Sequence, residues 1–122
     1  MDKIILSIFI ILLSFITLQR NTIWKNEYII WKDVTLKAPG RGTPHINLGN
    51  AYIRRNVMDK AEREFLSALA INGFDIRAHS GLGVVYLQNG LLDEAMKRYQ
   101  LITRGKPDFA PGHNNLGVVY ME

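Results

Sequence analysis

Residues 76–107 read IRAHSGLGVVYLQNGLLDEAMKRYQLITRGKP, the one complete copy of a pattern that recurs along the chain. It holds two segments with apolar residues at helical spacing, separated by a turn at Asn89 and Gly90 and closed by the stop signal Gly-Lys-Pro. The same pattern recurs 34 residues earlier and, in part, 34 residues later. The positions that define it are Leu48, Gly49, Tyr52, Ala61, Phe65 and Ala68, then Leu82, Gly83, Tyr86, Ala95, Tyr99 and Pro107, and finally Leu116, Gly117 and Tyr120.

This spacing is typical of the tetratricopeptide repeat (TPR), in which Leu-Gly and an aromatic residue stand in the first helix and a small and an aromatic residue in the second. The chain is therefore similar to TPR proteins, and the resemblance implies an all-α solenoid of stacked helix pairs. One pair cannot bury its apolar face alone, so neighbouring pairs must cover each other. We expect Gly49 and Gly83 to lie where the two helices of a pair approach most closely.

The repeat register divides the chain into five segments. They are a membrane anchor helix at 1–21, a degenerate half-repeat at 22–40 that caps the stack, TPR 1 at 42–75, TPR 2 at 76–109 and a truncated TPR 3 at 110–122. The half-repeat follows from the register, because Trp31 and Val34 stand 34 residues before Phe65 and Ala68. It departs from the pattern at Glu27, which occupies the place of a small residue. Because TPR 3 stops inside its first helix, we expect a longer natural protein or a fragment.

The apolar segment at residues 4–18, IILSIFIILLSFITL, carries no charge, and we predict that it lies in a membrane. As a helix it is roughly 22 Å long, less than the ~30 Å hydrocarbon core, so the alternatives are a short span and a signal-peptide core. No small-x-small cleavage site follows, since the next residues are Gln19, Arg20 and Asn21. We therefore predict a retained anchor, whereas cleavage near residue 20 would leave a secreted soluble adaptor.

The junction between the apolar segment and the repeats contains Arg20, Asn21, Trp24, Glu27 and Trp31. This order resembles the junction in the transmembrane and TPR-containing O-mannosyltransferase-like proteins and their bacterial relatives. The resemblance implies architecture alone, because the catalytic acidic residues of that family lie in loops between earlier spans. The alternative function of the chain is therefore that of the C-terminal fragment of a multi-spanning glycosyltransferase-like membrane enzyme.

The repeat domain is predicted on the cytoplasmic side by charge and on the extracytoplasmic side by the family resemblance. Three cations, Arg20, Lys25 and Lys32, follow the apolar segment. Only Lys3 and the α-amino group precede it, so the positive-inside rule favours a cytoplasmic repeat domain. The resemblance to the O-mannosyltransferase-like proteins implies the extracytoplasmic side, because earlier spans would then set the orientation. We favour the extracytoplasmic side.

Composition excludes several classes of function. The chain has no Cys, which excludes a disulfide scaffold, a thiolate zinc site and a Cys nucleophile. Its net charge is +4, but from Gly40 onward ten Lys and Arg stand against eight Asp and Glu, so we predict no nucleic-acid partner. The sequence has no phosphate-cradling Gly loop, catalytic triad or carboxylate pair in a recognisable context. We therefore predict no enzymatic activity of the chain by itself and no cofactor.

The three histidines, His45, His79 and His113, recur at the 34-residue period. Stacked repeats would hold them about 10 Å apart, the scale of helix packing distances, which is too far for them to share a metal ion. We expect packing or helix-edge roles for all three, and no metal site.

The candidate peptide-binding residues are Asn47, Asn50, Asn114 and Asn115. Asn47 and Asn115 directly precede the Leu of their repeats, on first helices that the TPR resemblance places on a concave face. In TPR superhelices resembling that of the O-linked N-acetylglucosamine transferase, an Asn at this position forms a ladder that hydrogen-bonds a peptide backbone. Gly81 occupies the position in TPR 2 and breaks the ladder. We predict a protein or peptide partner, bound by a membrane-anchored module that is not itself catalytic.

Overall fold

The computed structural model describes residues 2–109 together with 113, 117, 120 and 121. The helices within residues 2–109 are α1 (Lys3–Lys37), α2 (Gly42–Arg54), α3 (Met58–Ile71), α4 (Ile76–Gln88) and α5 (Leu92–Gly105). No strand occurs among the residues so described. The all-α prediction is confirmed for this part of the chain.

The helices stack in chain order. α2 packs against α3 and α4 packs against α5, which forms two helix pairs, and the contact of α3 with α4 joins these pairs. α1 packs on α2, and α2 also contacts α4. The two first helices therefore lie beside each other, and the two pairs fall within residues 42–75 and 76–109.

Both pairs turn in the same way between their helices. Asn56 and Gly90 occupy equivalent positions in the two turns, and both have positive φ, of 59° and 74°. Val57 N–H donates to the Tyr52 carbonyl oxygen at 2.9 Å, and the equivalent bond of the second pair measures 2.8 Å. Left-handed backbone favours glycine, and asparagine adopts it more readily than most residues. The first turn can therefore be made without a glycine.

Aromatic rings of the second helices lie on glycines of the first helices. Phe65 and Tyr99 are almost fully buried, at 0% and 1% exposure. A Cβ atom at Gly49 would lie 2.8 Å from the Phe65 ring, and one at Gly83 would lie 2.4 Å from the Tyr99 ring. The paired helices thus approach closely at these two glycines. Around them the core holds Leu48, Tyr52, Ala61, Ala68, Leu82, Tyr86, Ala95 and Ile102.

α1 is a single helix of 35 residues that runs across the boundary drawn between the anchor at 1–21 and the half-repeat at 22–40. The physical reason is local, because residues 19–25 contain neither Gly nor Pro to interrupt the backbone hydrogen bonds. Thr22 Oγ1 donates to the Leu18 carbonyl oxygen at 2.9 Å, one turn earlier, and so fits within the continuous helix. The apolar segment and the segment that packs on the repeats are therefore parts of one rod.

The second half of α1 packs on α2. The Tyr28 ring meets the Tyr52 ring edge-on, with centroids 5.4 Å apart, and Trp31 packs against the core. Glu27, where the repeat pattern has a small residue, accepts a hydrogen bond from Arg54 of α2 at 2.5 Å. This half of α1 covers the side of α2 that faces away from the second pair.

Little of residues 110–122 is described. Gly117 and Tyr120 are helical, and the Tyr120 side chain is 68% exposed. The candidate residues Asn114 and Asn115, and the repeat position Leu116, lie outside the described residues.

Candidate functional site

Equivalent positions on the two first helices define a surface that we call the α2/α4 face. Its members on α2 are Thr43, Asn47 and Asn50, and its members on α4 are Arg77, Gly81 and Val84. On each helix they are spaced by four and then three residues, so they lie on one side of it. Arg77 Nη2 donates to Thr43 Oγ1 at 3.4 Å and so connects the two helices.

Asn47 and Asn50 place two amides on the α2/α4 face. Both residues are half-buried. Within the described part of the chain, no hydrogen bond or other polar contact engages either side chain. An amide has both donors and an acceptor, so these two side chains can pair with the N–H and C=O groups of an extended backbone.

Gly81 is the position at which the predicted ladder of asparagines is broken, and the structure provides the reason. A Cβ atom at Gly81 would lie 2.3 Å from the tip of the Phe65 ring. Phe65 also lies on Gly49, so its ring is held between α2 and α4 and cannot move away from either helix. An asparagine at position 81 is therefore excluded by packing in the core between the two pairs.

Asp75 and Arg77 form a polar cluster at the start of α4. The Asp75 carboxylate accepts from the Arg77 backbone N–H at 3.0 Å and pairs with Arg77 Nη2 at 2.8 Å. Hydrogen bonds from Arg77 lower the pKa of Asp75 from its ordinary value. The guanidinium is thus oriented at the edge of the α2/α4 face, where it is still 56% exposed.

All three histidines bond to the loop before their helix. His45 Nε2 lies 2.9 Å from the Pro39 carbonyl oxygen, and His79 Nε2 lies 3.1 Å from that of Gly73. His113 Nε2 lies 2.6 Å from the equivalent carbonyl oxygen of residue 107. In every case six residues separate the partners. His45 and His79 therefore fasten the starts of α2 and α4 to the end of the preceding segment. These bonds specify the partners of the packing or helix-edge role expected from the sequence.

The second ring nitrogen distinguishes His45 from His79. His45 Nδ1 lies 2.7 Å from Glu64 Oε2, whereas His79 Nδ1 lies 3.4 Å from Arg98 Nη1. His45 faces two acceptors, the Glu64 carboxylate and the Pro39 carbonyl oxygen. His79 faces one acceptor and one donor, an arrangement that fits the neutral ring. Burial lowers the pKa of His79, and the Arg98 charge lowers it further.

No group of three or more His, Cys, Asp or Glu side chains among the described residues is arranged to hold a metal ion. The histidines are instead engaged by carbonyl oxygens and by Glu64 or Arg98, as described above.

α1 exposes an apolar segment that no other helix of the described chain covers. Its most apolar 18-residue window has a mean hydropathy of 1.9 and is 0% buried. Length and composition are sufficient for α1 to cross a membrane, although a core helix or a signal sequence satisfies the same two criteria.

No protein-family model matches the sequence, and no curated protein matches it at a significant level. The fold, in contrast, resembles solved TPR structures. A thermophilic TPR protein of Thermus thermophilus has a TM-score of 0.76 and 24% identity, over 84% of this chain and 52% of its own. The chain therefore spans about half the length of that protein.

A second similar structure is the type III secretion chaperone SycD of Yersinia enterocolitica, solved in complex with a peptide of the translocator YopD. Its TM-score is 0.72 at 16% identity, over 89% of this chain and 88% of SycD. The TPR fold predicted from the 34-residue period is confirmed by both likenesses. Neither bears on the resemblance to the O-mannosyltransferase-like proteins, which stays a prediction.

Proposed function

We propose that the chain is a non-catalytic TPR module that binds a protein or peptide on the α2/α4 face and is held at a membrane by α1. The observation that carries the binding proposal is the pair of half-buried amides of Asn47 and Asn50, which no described residue engages. Arg77 adds an oriented cation at the edge of the same face. An extended peptide offers the complementary backbone groups. The peptide complex of the similarly folded SycD supports this choice of partner.

The binding proposal is tested with peptides selected from a displayed library against the full chain in mild detergent. We expect the double substitution Asn47→Ala and Asn50→Ala to weaken a selected peptide about tenfold, because each neutral hydrogen bond contributes about 0.5–1.5 kcal/mol. The control is Gln100→Ala, which removes an amide from α5. The proposal would be contradicted if the double variant and Gln100→Ala lost equal peptide affinity, or if the double variant lost none.

The membrane part of the proposal rests on the exposure of α1. Large apolar side chains are about half exposed or more along residues 4–18, with Ile4 at 67%, Ile11 at 68% and Leu18 at 64%. Such a surface is unfavourable in water and favourable in lipid. The repeats are proposed to lie on the extracytoplasmic side, and protease accessibility in spheroplasts tests that orientation.

A further inference from the structure

The position of α2 relative to α1 brings part of the repeat domain to the level of the lipid headgroups. If residues 4–18 lie in the hydrocarbon core, Asn21 lies about 4.5 Å and Lys25 about 10 Å beyond Leu18 along the helix axis. The headgroup layer on each side of a bilayer is about 5–7 Å thick. Asn21 therefore lies in this layer, and Lys25 lies about 3 Å outside it.

The C-terminal end of α2 is fastened to α1 just beyond Lys25, at Glu27 and Tyr28. Arg54 pairs with Glu27 at 2.5 Å, and the Arg55 guanidinium carbon lies 4.3 Å from the centroid of the Tyr28 ring. Because α1 is one continuous helix, the arginines cannot move independently of the apolar segment. The first helix pair thus meets the membrane surface with its α2–α3 turn.

A cleft of about 380 Å³ lies between the two helices at this point, lined by Asn21, Lys25, Arg54 and Arg55. Three of the four lining side chains are cations, and the fourth is an amide with two donors. Glu27 balances one of the cations through its bond to Arg54, so the cluster keeps an excess of two positive charges. Guanidinium groups bind phosphate oxygens with charge-assisted hydrogen bonds.

We propose that this juxtamembrane cleft binds the phosphate headgroup of an anionic phospholipid and so fixes the orientation of the repeat stack at the membrane surface. The inference rests on the proposed membrane anchorage of α1. We infer the occupant from depth as well as charge, because the cleft begins at Asn21 in the headgroup layer and continues to Lys25, about 3 Å outside it.

The test uses the full chain reconstituted in phosphatidylcholine vesicles with or without a minority of phosphatidylglycerol. Spin-labelled lipids report the association of each lipid with the protein. We expect phosphatidylglycerol to be preferred, and the preference to fall about fivefold for each cation removed by Lys25→Gln and Arg55→Gln. Raising the ionic strength should weaken the preference as well.

The matched control is Lys97→Gln with Arg104→Gln, which removes the same charge from the exposed surface of α5. An equal loss in this control, or no preference in the unmodified chain, would overturn the inference. Loss of the preference on adding stoichiometric soluble glycerol phosphate or an acidic peptide would assign the cleft to those anions and overturn it too. Failure of the chain to float with either vesicle refutes the anchorage itself, whereas flotation with both and no lipid preference refutes the lipid site alone.

Discussion

Gly81→Ala is the substitution whose effect the structure defines most sharply. In a helix interior, alanine is favoured over glycine by about 1 kcal/mol. At this position, however, the added Cβ would lie 2.3 Å from the Phe65 ring, which is 0% exposed and rests on Gly49 from the other side. Overpacking of a well-packed core costs about 1–3 kcal/mol, and this contact belongs at the upper end because the ring has nowhere to move. We expect Gly81→Ala to lower the free energy of unfolding by about 2 kcal/mol, the cost of overpacking less the gain in helix propensity.

The sign of the effect should reverse when the ring is removed. In a Phe65→Leu background the clash is absent, so Gly81→Ala should stabilise the fold by about 1 kcal/mol through helix propensity. Urea unfolding in mild detergent, followed by circular dichroism, gives the four free energies of the cycle. Gly42→Ala is the control, because its Cβ would meet only the Ala68 carbonyl oxygen at 3.8 Å. The same free-energy change in both backgrounds would refute the packing argument.

Three further predictions concern the junction, the pH dependence and the anchor. Arg54→Ala should reduce stability by less than about 1 kcal/mol in urea unfolding, because the side chains of Arg54 and Glu27 are 34% and 35% exposed and solvent screens the pair. The pKa of His79 is lower in the folded chain, so the unfolded chain binds the proton more readily. The free energy of unfolding should therefore be highest above the ordinary pKa of 6.5 and fall as the pH decreases from there through the folded pKa. In unfolding curves measured over this range, His79→Gln should reduce the decrease. The full chain should remain in the membrane pellet after carbonate extraction, whereas Ile8→Lys with Leu12→Lys should release it.

The 34-residue period was sufficient to predict the two helix pairs, because it placed Gly49 and Gly83 in register with aromatic residues on the second helices. Those pairings are local, within one hairpin, and sequence spacing determines them. The role of Glu27 could not be predicted in this way. Its partner Arg54 is 27 residues away on another helix, and only the packing of α1 on α2 brings the two together.

A helix-edge role for the histidines can be expected from the sequence, and their partners also have a signal there. His45 and His79 repeat at the period, and so do Pro39 and Gly73, whose carbonyl oxygens they contact. A repeated polar residue and a repeated loop residue at fixed separation indicate a contact between them. The continuity of α1 is not predicted by the sequence pattern. Its two halves have different apolar patterns because they have different surroundings. This change of pattern resembles a boundary between two elements, although no helix breaker lies between them.

Photocrosslinking tests the proposed binding face most directly. Benzoylphenylalanine is placed at Thr43 or Val84 on the α2/α4 face, and at Leu66 or Leu101, which are 43% and 38% exposed on α3 and α5. With the membrane-reconstituted chain and a selected peptide, we predict crosslinks from positions 43 and 84 and none from positions 66 and 101. Crosslinks from 66 and 101 alone would contradict the account, because the peptide would then bind the second helices.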